Sequence, residues 1–370
     1  MSMTRVALVH DYLTQRGGAE RVLLSMVKAF PDSPVYTSLY DPEGTFPEFA
    51  EIDVRPLWTN RFRSLRSDHR RGLPLYPNAF GQLQVDADLV VCSSSGFAHG
   101  VRTDGRKVVY CHTPPRWLYD ESRTYLRPLP VSVRAVARTM ASTLRAWDSR
   151  AAATADQYLT NSGVVRDRIR SCYGIDAALV APGTAIDTGA EREPVWGCPS
   201  HFVLCVSRLL GYKNVDQVVA AFEDLPDVSL VVAGDGPERA KLANAAATNV
   251  TFVGPVNDAQ LRWLYSRCSV LVSASHEDFG LTPLEAAAFG RPAAVLGAGG
   301  FLDTVVDGVT GRFFAKATAG AIAAAISDLL ANPLPRQPIL AHAAHFTEEA
   351  FTHRLREALS TSRALSEARL

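Results

Sequence analysis

The 370-residue sequence has little that could staple or anchor a fold. Its six cysteines, Cys92, Cys111, Cys172, Cys198, Cys205 and Cys268, include no C-x-x-C pair. Thiols scattered through apolar runs are expected to be free and buried, not disulfide-bonded or zinc-bound. No apolar stretch reaches the ~18 residues that a membrane span needs. The run Val6 to Val9 is short and opens a strand, so it does not read as a secretory signal, and the expected location is cytoplasmic. Net charge is missing too, because 38 Lys+Arg offset 38 Asp+Glu. That balance argues against nucleic acid or an acidic polymer as partner. Apolar content is what the chain does have: 47% hydrophobic against 21% charged. At this length that suffices for two packed domains.

The second half alternates strictly. Strands are expected at Phe202–Val206, Ser229–Ala233, Val250–Val253, Val270–Ser275 and Ala293–Leu296. Helical patterns fill 214–223, 237–246, 258–267 and 282–289. Such alternation predicts a doubly wound parallel sheet. The first half gives strands at Arg5–His10, Val35–Tyr40, Ile52–Leu57, Asp88–Ser94, Lys107–His112 and Gln157–Ser162, with helices at 20–30, 131–150 and 164–173. Residues 184–200 lack periodicity and read as a linker. A last helix is expected over 347–368.

The organising stretch is Val270 to Gly300. A strand breaks at His276-Glu277-Asp278-Phe279-Gly280, and a helix follows with Pro283 in its first turn, where a missing N–H costs no hydrogen bond. The amides of Phe279, Gly280 and Leu281 are expected to face out at the helix N-terminus, where partial positive charge and free donors attract a phosphate. Glu277 and Glu285 flank it, with seven residues between them. Their bland alternatives are a capping acid and a solvated helix residue.

Arg208 and Lys213, in Ser207-Arg-Leu-Leu-Gly-Tyr-Lys213, sit where the Phe202 strand gives way to helix. Two cations there can neutralise a diphosphate. Gly234-Asp-Gly236 forms a second glycine-rich turn. Gly17 and Gly18 open the helix after the first strand but do not make G-x-G-x-x-G, so a dinucleotide is not indicated. His112 ends a strand of a parallel sheet, where ligands bind, although a lone histidine is more often structural. Asp86 and Asp88 form D-x-D ahead of a strand and read as turn chemistry. Arg61 to Arg71 concentrates five arginines and His69; such a run is usually a solvated face, the other reading being an anionic acceptor or lipid headgroups at the inner membrane face. Arg134, Arg138 and Arg145 punctuate the helix over 131–150, which reads as a packing helix with a membrane-surface alternative.

Together E-x7-E, S-R-x-x-x-Y-K, the GGAE turn, the segment Tyr-Cys-His-Thr-Pro-Pro-Arg-Trp and the passage ending Ala-Pro-Gly183 resemble the retaining GT-B glycosyltransferases of family 4. The resemblance implies two Rossmann-like domains facing across a cleft, 1–190 and 191–345, with the C-terminal helix in 346–370 crossing back to the first. It implies that Glu277 holds donor hexose hydroxyls and Glu285 the ribose. Asp278, Phe279, Gly280 and Leu281 line phosphate and sugar. Arg208 and Lys213 take the diphosphate, Gly17 and Gly18 close from the other domain, and Gly234 and Val253 border the base. His112 lies against the transferred sugar. Catalysis is expected at His112, Glu277, Arg208 and Lys213, with no metal and no cofactor. The expected partners are a nucleotide-sugar donor and a carbohydrate or glycolipid acceptor, and no nucleic acid. Glu-Asp-Phe-Gly before Thr-Pro-Leu-Glu resembles GDP-mannose-dependent mannosyltransferases more than UDP-hexose users, which remain the alternative. A nucleotide-sugar 2-epimerase and a non-catalytic donor-binding subunit are the readings from other classes.

Overall fold

A computed structural model describes residues 4–119 and 131–367, without the side chains of 132–138 and 361–367. Arg134 and Arg138 therefore lie outside the described side chains. The chain divides into two units, Met1–Gly183 with Glu348–Leu370, and Thr184–Thr347. The expected division fell at 190/191 and 345/346.

The first unit is built on a seven-stranded parallel sheet: β1 (Val6–His10), β2 (Val35–Thr37), β3 (Val54–Pro56), β4 (Leu89–Ser94), β5 (Arg106–Cys111), β6 (Gln157–Thr160) and β7 (Ala178–Leu179). The spatial order is β3-β2-β1-β4-β5-β6-β7. Successive strand residues face opposite sides. Val90, Cys92, Val109 and Cys111 enter one core with Phe80, Val165 and Ile169. Val91, Val108 and Tyr110 enter the other with Leu23, Met26, Phe351 and Leu355. Because both faces are covered, these strands read as near-continuous apolar runs.

The last helix, Glu348–Glu367, belongs to this unit. Phe351, Leu355 and Leu359, four residues apart, give it a buried stripe. Glu348 ties its start to the helix Gly18–Ala29, accepting from Ser25 Oγ at 2.7 Å and Lys28 Nζ at 2.6 Å. In the helix Val131–Ala152, Leu144 is buried and Arg145 donates twice to the Leu118 carbonyl. That end of the helix packs within the unit.

The second unit carries a six-stranded parallel sheet of β8 (Val203–Val206), β9 (Leu230–Ala233), β10 (Val250–Gly254), β11 (Val270–Ser273), β12 (Ala293–Leu296) and β13 (Gly311–Phe314), ordered β10-β9-β8-β11-β12-β13. Val203, Cys205, Val232 and Val272 face one core, and Leu204, Val231 and Leu271 the other. β13 and the helices Ala319–Ala331 and Arg336–Ala344 were not anticipated. All six cysteines are free, and four of them are buried. Burial pushes the thiols of Cys92, Cys205 and Cys268 up to about 12. No described helix is long and apolar enough to cross a membrane.

Candidate functional site

In both sheets the chain winds outward in one direction from the first strand and then in the other, which makes β1/β4 and β8/β11 the switch points. Loops leaving the carboxyl ends of two adjacent strands splay apart there and leave room for a ligand.

At β8/β11 two of the sequence-predicted residues, Lys213 and Glu277, meet. After β8 the chain makes a short 3-10 turn, Gly211–Lys213. It then passes through Asn214, the one described non-glycine residue at positive φ. Asn214 Nδ2 donates to the Ala274 carbonyl at 2.9 Å, which fixes this turn against the loop that leaves β11. Lys213 Nζ thereby reaches Glu277 Oε1 at 2.5 Å. Ser275 Oγ donates to the same carboxylate oxygen at 2.5 Å and lies 3.0 Å from Ser273 Oγ. Both members of the ion pair are mostly shielded, with side chains 13% and 26% exposed.

The helix Leu281–Ala288 starts beside Glu277, capped by Gly280 at φ +90° with no side-chain cap, and Pro283 stands in its first turn as expected. The loop 276–280 is pressed onto Gly299 and Gly300. A Cβ at Gly299 would overlap the Glu277 carbonyl oxygen, and one at Gly300 would overlap the backbone of Asp278 and Phe279. The Phe279 side chain is buried, which leaves only its backbone for any ligand contact. Glu285 is not simply solvated: its carboxylate accepts from Tyr265 Oη at 2.6 Å.

Arg208 is more open, touching Tyr212 Oη at 3.5 Å, and the Tyr212 ring lies 5.1 Å from Lys213 Nζ. Gly234, at φ +128°, lies flat against the Ser207 carbonyl and donates to the Gly254 carbonyl at 2.8 Å. The turns after β8 and β9 and the last residue of β10 thus stack as one backbone layer, with Val253 beside it.

The first unit's residues gather at β1/β4. His112 follows β5 and is buried, with its ring Nε2 2.8 Å from Ser93 Oγ. Burial, and then the nearby His10, lowers its pKa from 6.5 to about 3, so it is neutral at pH 7. Gly17 caps the helix Gly18–Ala29 in extended conformation. Sequence reasoning missed His10, Asp11, Glu20 and Ser93. Asp11 is buried and accepts from the amides of Ser95, Phe97 and Ala98 at 2.6, 2.7 and 2.8 Å, clamping the end of β4 to the end of β1. The available signal was the switch-point rule itself, which makes the ends of strands one and four neighbours.

Asp86 and Asp88 are occupied structurally, since Arg5 forks onto Asp86 at 3.1 and 3.1 Å and its amide bonds Asp88 at 2.8 Å. Among the described residues no cluster of three or more His, Cys, Asp or Glu side chains is arranged to hold a metal ion. The 61–71 stretch runs through short helices, Arg63–Ser67 and His69–Gly72 among them, on which Arg61, Arg63, Arg70 and Arg71 are exposed, and Arg71 pairs with Asp68 at 3.5 Å.

The family description "Glycosyltransferase Family 4" matches residues 16–188, and "Glycosyl transferases group 1" matches residues 194–352. Glycogen synthase of Mycobacterium tuberculosis is 32% identical over 197 residues, covering 49% of this chain and 47% of that protein. D-inositol 3-phosphate glycosyltransferase of Mycobacterium avium is 33% identical over 201 residues, covering 49% and 46%. The chain thus spans about half the length of the curated relatives it matches. Among solved structures, Anabaena HepE in complex with UDP-glucose superposes with a TM-score of 0.71 at 18% identity, covering 97% of this chain and 100% of that one. Sucrose-phosphate synthase from Thermosynechococcus elongatus gives 0.70 at 20% identity, covering 98% and 100%. At such identities these two likenesses speak for the fold alone. Two family matches on successive halves, over two sheets of this winding, carry one conclusion: the chain belongs to the GT-B glycosyltransferases of the family 4 kind.

Proposed function

We propose that the protein is a retaining glycosyltransferase that moves a hexose from a nucleoside-diphosphate sugar to a hydroxyl of a carbohydrate or glycolipid. The observation that carries this reading is the Lys213–Glu277 pair at 2.5 Å, set at a sheet switch point beside a helix N-terminus. A cation and a carboxylate brought together from two loops beside a helix N-terminus suit a sugar phosphate: the cation and the helix amides for phosphate, the carboxylate for sugar hydroxyls.

In the proposed reaction the C1–O bond to the diphosphate breaks and a bond from C1 to the acceptor oxygen forms on the same face. The acceptor proton passes to the departing phosphate oxygen. Lys213 and Arg208 neutralise the charge that develops on the diphosphate, and the amides at Gly280 and Leu281 add donors. Two fixed cations can do there what a divalent metal does elsewhere, so no metal is required. Glu277 holds the hexose, and Glu285, oriented by Tyr265, holds the ribose.

For the donor, the Glu-Asp-Phe-Gly sequence supports GDP-mannose. A UDP-hexose such as UDP-glucose, the ligand of the HepE structure, is the second reading. The exposed arginines of 61–71 are proposed to meet an anionic acceptor or lipid headgroups. Thermal shifts with a panel of GDP- and UDP-sugars, with and without EDTA, test the reading, because a ligand of the folded state raises its melting temperature. The expected result is a shift with GDP-mannose or GDP that EDTA leaves unchanged. A shift seen only with added Mn²⁺, or with no nucleotide sugar at all, would overturn it.

A further inference from the structure

Three side chains from three strand ends form a line in the first unit. His10 Nδ1 lies 3.0 Å from Ser93 Oγ, and the same oxygen lies 2.8 Å from His112 Nε2. Ser93 has one hydroxyl proton, so it donates to one imidazole and accepts from the other. Fixing the tautomer of one histidine therefore fixes the other, but the trio alone does not choose.

Glu20 supplies the choice. It is the third residue of the helix Gly18–Ala29 and only 1% exposed. Its Oε1 lies 4.0 Å from His10 Nε2 and accepts from Gln15 Nε2 at 3.0 Å. Its Oε2 is buried without a hydrogen-bond partner and faces Gly17, where a Cβ would collide with it. A buried carboxylate short of donors favours a proton on the ring nitrogen that faces it. With Nε2 protonated, His10 offers Nδ1 as an acceptor and takes the Ser93 proton. Ser93 must then accept from His112 Nε2–H. His112 is left with its lone pair on Nδ1, which makes no hydrogen bond among the described residues.

We propose that Glu20 is a positioning residue that sets the tautomer of His112 through His10 and Ser93, making Nδ1 of His112 an acceptor for a carbohydrate hydroxyl. Burial supports the arrangement from the other side, since it keeps His112 neutral and an imidazolium would have no acceptor nitrogen. The hydroxyl as ligand rests on the glycosyltransferase reading; the tautomer does not.

Long-range ¹H–¹⁵N spectra of histidine-labelled protein test this, with His112 assigned by its absence in H112N. In the wild type at pH 7 the expected state is neutral His112 with N–H at Nε2; N–H at Nδ1 would overturn the proposal outright. In E20Q the side-chain amide can donate to His10 Nε2. Every hydrogen bond in the line then reverses, and His112 should carry its proton on Nδ1. Adding S93A should uncouple the ends, so that E20Q no longer moves the His112 signals. A folded E20Q protein with an unchanged His112 spectrum refutes the relay. In transfer assays E20Q should lower kcat by about tenfold or more and leave donor KM within about twofold. A reversed tautomer in a protein that transfers no sugar would sink the functional reading and spare the relay. Active enzyme with an unmoved tautomer would do the opposite.

Discussion

Lys213 Nζ and Glu277 Oε1 touch at 2.5 Å although 64 positions separate them in the chain. They come from the ends of β8 and β11, adjacent strands that are first and fourth in their sheet. In the free protein the cation proposed for the diphosphate is therefore already engaged by the acid proposed for the sugar. Replacing Glu277 by Gln should release Lys213. Isothermal titration is expected to show GDP or UDP alone binding severalfold more tightly to E277Q, while transfer falls by about a hundredfold. K213A should weaken nucleotide binding by about tenfold or more, the range for losing a charge-assisted hydrogen bond. Unchanged nucleotide affinity in both variants would remove this pair from the donor site.

Gly234 should be irreplaceable for a steric reason. At φ +128° a side chain is strained, and its Cβ would also overlap the Ser207 carbonyl. Gly174 caps the helix Gly163–Tyr173 at φ +70° with open space around it. G174A should cost about 1 kcal/mol, the left-handed penalty alone. G234A should cost about 3 kcal/mol or more, because the backbone layer must shift as well. Denaturant midpoints of the two variants, compared at unchanged slope, check the ordering.

His112 should make stability depend on pH. Its folded pKa, about 3, lies below its ordinary 6.5, with burial as the first cause. Between those values the unfolded chain binds the proton and the folded chain does not. Stability therefore rises with pH across this window and falls as the solution is acidified below about pH 6.5. The slope should approach ~1.4 kcal/mol per pH unit in mid-window. Urea unfolding at several pH values from 4.5 to 7 should show that slope in the wild type and a flatter one in H112N. Equal slopes would mean that His112 is not kept neutral by the fold.

Much of this molecule was readable from residue order. Buried parallel strands declare themselves as short apolar runs between turns, and β4, β5, β11 and β12 lie within a residue or two of where the runs end. β13 escaped because Gly-Arg-Phe-Phe is short and starts on a glycine, whose missing side chain lets the Ala293 carbonyl approach. The helix Ala319–Ala331 escaped because alanine on nearly every face blurs the period of 3.6. At the site, Glu277, Lys213 and the helix start share local signatures. The His10–Ser93–His112 line has none: its members are joined only by strand adjacency, and the hydrogen bonds within it depend on which sheet positions become neighbours. Glu20 stands in the first turn of its helix, where an acid is ordinary because it suits the positive end of the helix dipole. Only its burial and its unpaired oxygen distinguish it.

The helix Glu348–Glu367 is the last piece of the first unit, yet ribosomes deliver it after all of the second. During synthesis the nascent first unit waits with Leu23, Met26 and Tyr110 short of their final neighbours, Phe351 and Leu355. A stop codon just before Glu348 would spare the whole second unit and still cripple the first. Whatever guards the cell against aggregation must cover that interval, and folding yields should drop most when translation pauses within it.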